Sequence, residues 1–322
     1  MKHTIWGTLL LLNLSCVTIE TKTEVIAFSS CNEPGQGTTL LPTLSKALDT
    51  IPTFVWLGDN VYLKEQDWQS AEALENKYKK VFEAPLLQEI WGKGTHYAVW
   101  DDHDAGPNDC DGSFDGLPLT MKGFKDFWKP DYEMPDNQSF YGSKIIAEGA
   151  VELFFLDNRT YRVHHDSSNA TVFGEQQLQW FEKAYTNSKA TFKVLLMGGQ
   201  FLPTAQVFDN VSRFPAERQR IIDIMSSTSG SPIVLTGDRH HGEISRLEAG
   251  NTVILEGTAS PLTAKSFPHH DEPNETRVHE GTTEVNHFGI VELEHQNNQA
   301  KSIRIRLIDP EGNAIFNWRE TF

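Results

Sequence analysis

Short apolar runs that break off in polar clusters recur along the first two-thirds of the chain. Glu24 to Phe28 gives way to Ser29-Ser30-Cys31, Thr53 to Leu57 to Gly58-Asp59-Asn60, and Thr95 to Trp100 to Asp101-Asp102-His103-Asp104. Val151 to Leu156 ends at Asp157-Asn158-Arg159, Phe192 to Met197 at Gly198-Gly199-Gln200, and Ile233 to Thr236 at Gly237-Asp238-Arg239-His240-His241. Runs of this length and composition read as buried strands. Helical character falls between them, over Leu40 to Asp49, Trp68 to Phe82, Glu175 to Thr186 and Ala216 to Met225. The alternation predicts an α/β arrangement, and in such sheets sites form at the carboxyl ends of the strands. The last third changes rhythm. Ile244 to Leu247, Val253 to Leu255, Phe288 to Leu293 and Ile303 to Leu307 are strand-like with few helical signals between them, which implies a second sheet or an antiparallel extension. Ser266 to Glu284 reads as a loop on the rim of a site, and Asp104 to Pro118 as another.

With 322 residues, 39 % of them hydrophobic, the chain can bury one substantial core, so a single domain over residues 21–322 is expected. A monomer is expected too. The net charge of −16 and the lack of any basic cluster argue against a nucleic-acid partner. They do not exclude a small phosphate substrate, because cations held by carboxylates invert the local field. Residues 1–20 have a basic start, the apolar run Leu9 to Leu12 and small residues at Ser15-Cys16, the layout of a signal peptide. Export to the periplasm, the cell surface or the medium is the expectation. Cys16 is a candidate lipid-anchor site, although Asn13 stands where an aliphatic residue is usual.

The strand ends collect metal-ligand chemistry. Asp59 and Tyr62 follow one strand, Asp102-His103-Asp104 another, and Asp238 with His240 a third. Carboxylates can bridge two cations, imidazole suits transition metals, and a phenolate or thiolate favours an oxidised ion such as ferric iron. Two neighbouring cations can hold hydroxide, grip a phosphoryl group and support in-line displacement. An imidazole beside them would protonate the leaving alkoxide. His103 is the first choice for that acid, with His241 in reserve. Cys31, at the first strand end, is either a ligand or half of a disulfide with Cys110. The paired His164-His165 and His269-His270 read as solvated loop residues.

The ordered set Phe28-Ser29-Ser30-Cys31, Gly58-Asp59-Asn60-Val61-Tyr62, Asp101-Asp102-His103-Asp104, Leu156-Asp157-Asn158-Arg159 and Gly237-Asp238-Arg239-His240-His241 resembles the alkaline phosphatase D family. Glu256 to Pro261 and Phe288-Gly289-Ile290 continue the match. The resemblance implies a mixed α/β, calcineurin-like metallophosphoesterase core, two β-sheets packed as a sandwich and flanked by helices. It also implies a metal-dependent alkaline phosphatase or phosphodiesterase acting on small phosphate esters, with Fe3+ paired with one or two Ca2+. Carried across by position, Cys31, Tyr62 and His240 would bind iron, Asp59 would bridge, and Asp102 and Asp238 would bind calcium. His103 would face the leaving group, while Asn60, Arg159 and His241 would contact substrate. Departures from the pattern are expected as well: a minimal form without an N-terminal sandwich domain, because the first core strand follows the signal directly, and Gln200 where relatives often supply histidine. A reading of a different class is a non-catalytic, calcium-binding surface protein.

Overall fold

The computed structural model of the protein describes residues 20–35, 38–136, 138–267, 269 and 271–322. Cys16 and all but the last residue of the expected signal peptide lie outside the described residues, as does His270. Among the described residues no helix is long and apolar enough to cross a membrane.

The elements run β1 (Lys22–Ser29), α1 (Leu41–Ala47), β2 (Thr53–Leu57), α2 (Ala71–Phe82), α3 (Pro85–Trp91), β3 (Thr95–Val99), α4 (Asp102–Ala105), α5 (Leu117–Trp128), β4 (Gly142–Ile146) and β5 (Val151–Phe155). There follow α6 (Gly174–Asn187), β6 (Phe192–Leu196), α7 (Pro215–Ser226), β7 (Ser231–Thr236), β8 (Glu243–Ala249), β9 (Thr252–Thr258), β10 (Phe288–Gln296), β11 (Gln299–Ile308) and β12 (Ala314–Thr321).

They build two six-stranded sheets, ordered β12-β11-β10-β1-β2-β3 and β4-β5-β6-β7-β9-β8. In the first, β1, β2 and β3 are parallel and β10 to β12 are antiparallel additions beside β1. In the second, β5, β6, β7 and β9 are parallel, and β4 and β8 pair antiparallel at the two edges. The expected change of rhythm is therefore real but divided: β8 and β9 complete one sheet and β10 to β12 the other.

Alternation along the strands explains the layering. Val55 and Leu57 join Leu153, Phe155, Val194 and Leu235 in the large core that draws on both sheets. On β5 and β6, Phe154 and Leu195 face the other way and pack with Phe181 of α6 and Ile221 of α7. On β2, Trp56 meets Phe82 of α2 edge-on at 5.4 Å. Helix α2 is held by Leu74, Tyr78 and Phe82, a four-residue repeat on one face, and its start is fixed by Ser70, whose hydroxyl accepts from Ala73 N at 3.1 Å. Trp100, just past β3, donates to Asp157, just past β5, at 2.8 Å. That bond stitches the two sheets together at the end where the polar clusters gather.

Candidate metal centre

The loops leaving β1, β2, β3 and β7 converge at the carboxyl ends of both sheets. Four residues there adopt left-handed backbone: Cys31 at φ 55°, Asp59 at 51°, Asp238 at 68° and His240 at 53°. Such conformations cost a non-glycine residue about 1–3 kcal/mol each and persist only where the surroundings enforce them. The enforcement is visible. Cys31 N donates to Gly58 O at 3.2 Å, Asn32 N to Asp59 O at 2.8 Å, and His240 N to Ser260 Oγ at 2.8 Å. Gly58 has no substitute at φ 86°, since a Cβ there would lie 2.6 Å from that of Asp101.

These bends aim the side chains at one another. The Cys31 thiol lies 3.7 Å from Asp59 Oδ2 and 3.1 Å from Ser260 Oγ. The Tyr62 hydroxyl and His240 Nε2 are 3.0 Å apart, and the Tyr62 ring lies 4.3 Å from that of His103. Ligand atoms of Cys31, Asp59 and His240 fall within 4.8 Å of one another, as do those of Asp59, Asp102 and His103, and those of Asp101, Asp102 and Asp238. Asp59 belongs to two of these sets and Asp102 to two. Seven residues named from the sequence thus stand together: Cys31, Asp59, Tyr62, Asp102, His103, Asp238 and His240. Cys31 and Cys110 are both free and buried, so the disulfide alternative falls away.

Asn60 and Arg159, two of the three expected substrate contacts, are buried and spend their donors inside the protein. Asn60 donates its amide to Val99 O at 2.8 Å and to Asp104 Oδ2 at 3.1 Å, facing the strand and not the cavity. Arg159 is fully buried; its Nε and Nη2 pair with Asp101, Nη2 also lies 2.5 Å from Asp209, and Nη1 donates to Cys110 O at 3.1 Å. His241 is buried with neither ring nitrogen in a hydrogen bond, 3.8 Å from Glu243. Asp104 also turns away, accepting from the backbone of Asn60, Val61 and Asp101, and so ties the β2 turn to the β3 turn. Gln200 spends its amide on Glu243 at 2.7 Å, Thr258 at 3.1 Å and Arg239 at 3.2 Å.

Other residues enter unannounced. Asp101 joins Asp102 and Asp238, and Asp109, Phe208, Arg239, Phe267 and His269 line the same cavity of about 360 Å³. His269 is therefore a half-buried wall residue, anchored by Glu272 at 3.4 Å. The two expected rim loops supply part of that wall, Asp109 from one and Phe267 with His269 from the other. The Gly-Asp and Asp-Asp clusters were a signal for Asp101. Phe208 sits in a stretch whose sequence carries none.

The electrostatics describe a site short of positive charge. Burial first, and then the charges of Asp102 and Cys31, push Asp59 well above the usual carboxylate range. Burial and the neighbouring Asp101 and Asp102 do the same to Asp238. Burial lifts the Cys31 thiol to about 12, and it lifts Asp101 to about 6 against the pull of Arg159. Asp102 is the exception: burial opposes ionisation, but Arg159 and His103 prevail and hold it low. Burial lowers His103, with Asp102 resisting. Asp101 Oδ2 and Asp102 Oδ1 are buried yet accept no hydrogen bond. Buried carboxylate oxygens left unpaired, beside a thiol, a phenol and two imidazoles, fit bound cations, which would relieve the repulsion and occupy the free lone pairs.

No curated protein sequence matches the chain. Among solved structures, that of PhoD superposes with a TM-score of 0.70 at 16 % identity, covering 93 % of this chain and 68 % of its own. GAP50, the anchor in the inner membrane complex of Plasmodium, superposes with a TM-score of 0.58 at 12 % identity, covering 93 % of this chain and 89 % of its own. Both likenesses are of fold, and the PhoD likeness agrees with the two-sheet metallophosphoesterase core. Residues 128–303, more than half of the chain, match the PhoD-like phosphatase family, and the chain belongs to that family.

Proposed function

We propose that the protein is an exported, metal-dependent phosphoesterase that hydrolyses organic phosphate esters. The observation that carries this reading is Asp59, one carboxylate shared between the Cys31 and His240 donors on one side and the Asp102 and His103 donors on the other. Cys31, Tyr62 and His240 would hold Fe3+, Asp102 and Asp238 would hold one or two Ca2+, and Asp59 would bridge. When bound, the cations would supply Lewis acidity and an activated water at neutral or alkaline pH.

The remaining work falls to the chain's own groups. Asp101, buried against Arg159, would keep Asp102 and Asp238 apart and oriented. His103 stands at the cavity wall with its backbone N–H donating to Asp59 Oδ1 at 3.3 Å, so its imidazole would hand a proton to the departing oxygen. Its lowered basicity makes the protonated form a stronger acid but a scarcer one as pH rises. Aryl leaving groups need no such proton, and alkaline activity is expected on them first. The N-terminal segment would direct the chain out of the cytoplasm.

A non-catalytic calcium module has no use for a thiol, a phenol and an imidazole gathered on one side, since calcium takes oxygen ligands. The test is hydrolysis of an aryl phosphate and an aryl phosphodiester at alkaline pH, with elemental analysis of the same preparation. Turnover that ceases on chelation and in Asp59→Ala supports the proposal. Activity indifferent to both, or calcium without iron and without turnover, would sink it.

A further inference from the structure

Two exposed aromatic rings stand on the wall of the central cavity. Phe208 is 57 % exposed and Phe267 44 % exposed, and both line the cavity with Asp59, Asp102 and His103. Burying a phenylalanine side chain stabilises a fold, so each exposed position forgoes stability. The fold nevertheless fixes both. Phe208 is held at φ 45°, with its carbonyl accepting from Arg213 Nη1 at 3.1 Å. Phe267 is tied by its backbone N–H to His240 O at 2.8 Å.

Each ring is also backed by a cation. The Arg239 guanidinium lies 4.8 Å from the Phe208 centroid and the Lys265 ammonium 5.0 Å from that of Phe267. Arg239 is itself buried and anchored, 3.2 Å from Gln200, 3.2 Å from Asn210 and 2.6 Å from Glu272. A cation seated on one face of a ring fixes its orientation and leaves an exposed aromatic surface set for stacking.

We propose that Phe208 and Phe267 form a subsite for the organic group of the ester, selecting planar aryl or heteroaryl phosphates over alkyl phosphates. The inference rests on the phosphoesterase reading, which places the phosphate over Asp59, Asp102 and His103. A flat ring gains stacking against an exposed phenylalanine face, whereas an alkyl chain gains only apolar contact.

Calorimetric binding of phenylphosphonate and methylphosphonate to the cation-loaded protein tests this. The wild type binds the phenyl compound more tightly; Phe208→Ala and Phe267→Ala each cut that preference by about tenfold, and Phe208→Tyr retains it. Methylphosphonate affinity stays within about twofold in all three. Equal affinities in the wild type, or a preference that survives both alanine variants, would overturn the subsite. Phenyl phosphate turnover on the same preparations separates the two ideas. Binding preference without turnover keeps the subsite and removes the proposed activity; turnover without preference does the reverse.

Discussion

Arg159→Met is the sharpest test of how this site is held together. The guanidinium is fully buried, spans Asp101 and Asp209, and donates to the Cys110 carbonyl at 3.1 Å. Removal leaves Asp101 with the Asn158 amide at 2.9 Å and Asp209 with Arg162 at 2.6 Å. Breaking a buried pair from one side costs about 3–5 kcal/mol, because the stranded charge has no water to fall back on. At about 2–4 °C per kcal/mol, the midpoint of thermal unfolding should drop by about 10 °C. The measurement is a thermal scan at neutral pH with chelator present, beside Arg162→Met, whose guanidinium pairs with Asp209 and packs over Phe214 and should cost less. Adding Asp101→Asn to Arg159→Met should recover part of the loss, since the stranded charge goes with it. A melting temperature within about 3 °C of wild type, about 1 kcal/mol, would refute the neutralising role. Unchanged stability with a raised KM would return Arg159 to the substrate contact expected from sequence.

His103→Ala should lower kcat by about 100-fold or more on alkyl phosphates and far less on nitrophenyl phosphate; equal losses on both would remove it as the leaving-group acid. Asp238, pushed upward by burial and its acidic neighbours, binds its proton more tightly folded than unfolded. Metal-free stability therefore falls as pH rises from the unfolded carboxylate pKa through the folded one, and Asp238→Asn should relieve that loss. Denaturant unfolding in chelator should show the variant gaining more than about 1 kcal/mol over wild type at pH 8 relative to pH 5, one pKa unit's worth, and a gain that is flat or larger at pH 5 would contradict it.

The convergence of the candidate ligands was legible because buried strands announce their carboxyl ends: the apolar runs before Cys31, Asp59, Asp102 and Asp238 fix where each polar residue emerges. The edge strands β4 and β12 were not, since half-exposed positions at the sheet margins leave no apolar run. Helices α3 and α5 went unread although each carries proline in its first turn, a start signal present at Pro85 and Pro118. Asn60 and Arg159 were misplaced for a different reason. A polar residue at a strand end can face the cavity or brace the residues that do, and Asn60 and Arg159 are braces. That choice depends on side-chain direction, which one sequence does not encode locally.

The first sheet draws on both ends of the described chain. β1 lies between β2 and β10, yet β10 begins at Phe288, and Asp238 and His240 come only after β7. Cys31, Asp59 and Asp102 can be synthesised long before the strand that seats the first of them has a neighbour on its far side. Neither sheet by itself carries a full donor set. Under the proposed function, loading with metal would therefore be a late event, following the docking of β7 and β10, and the ions available in the compartment where docking finishes would decide which metals are taken up.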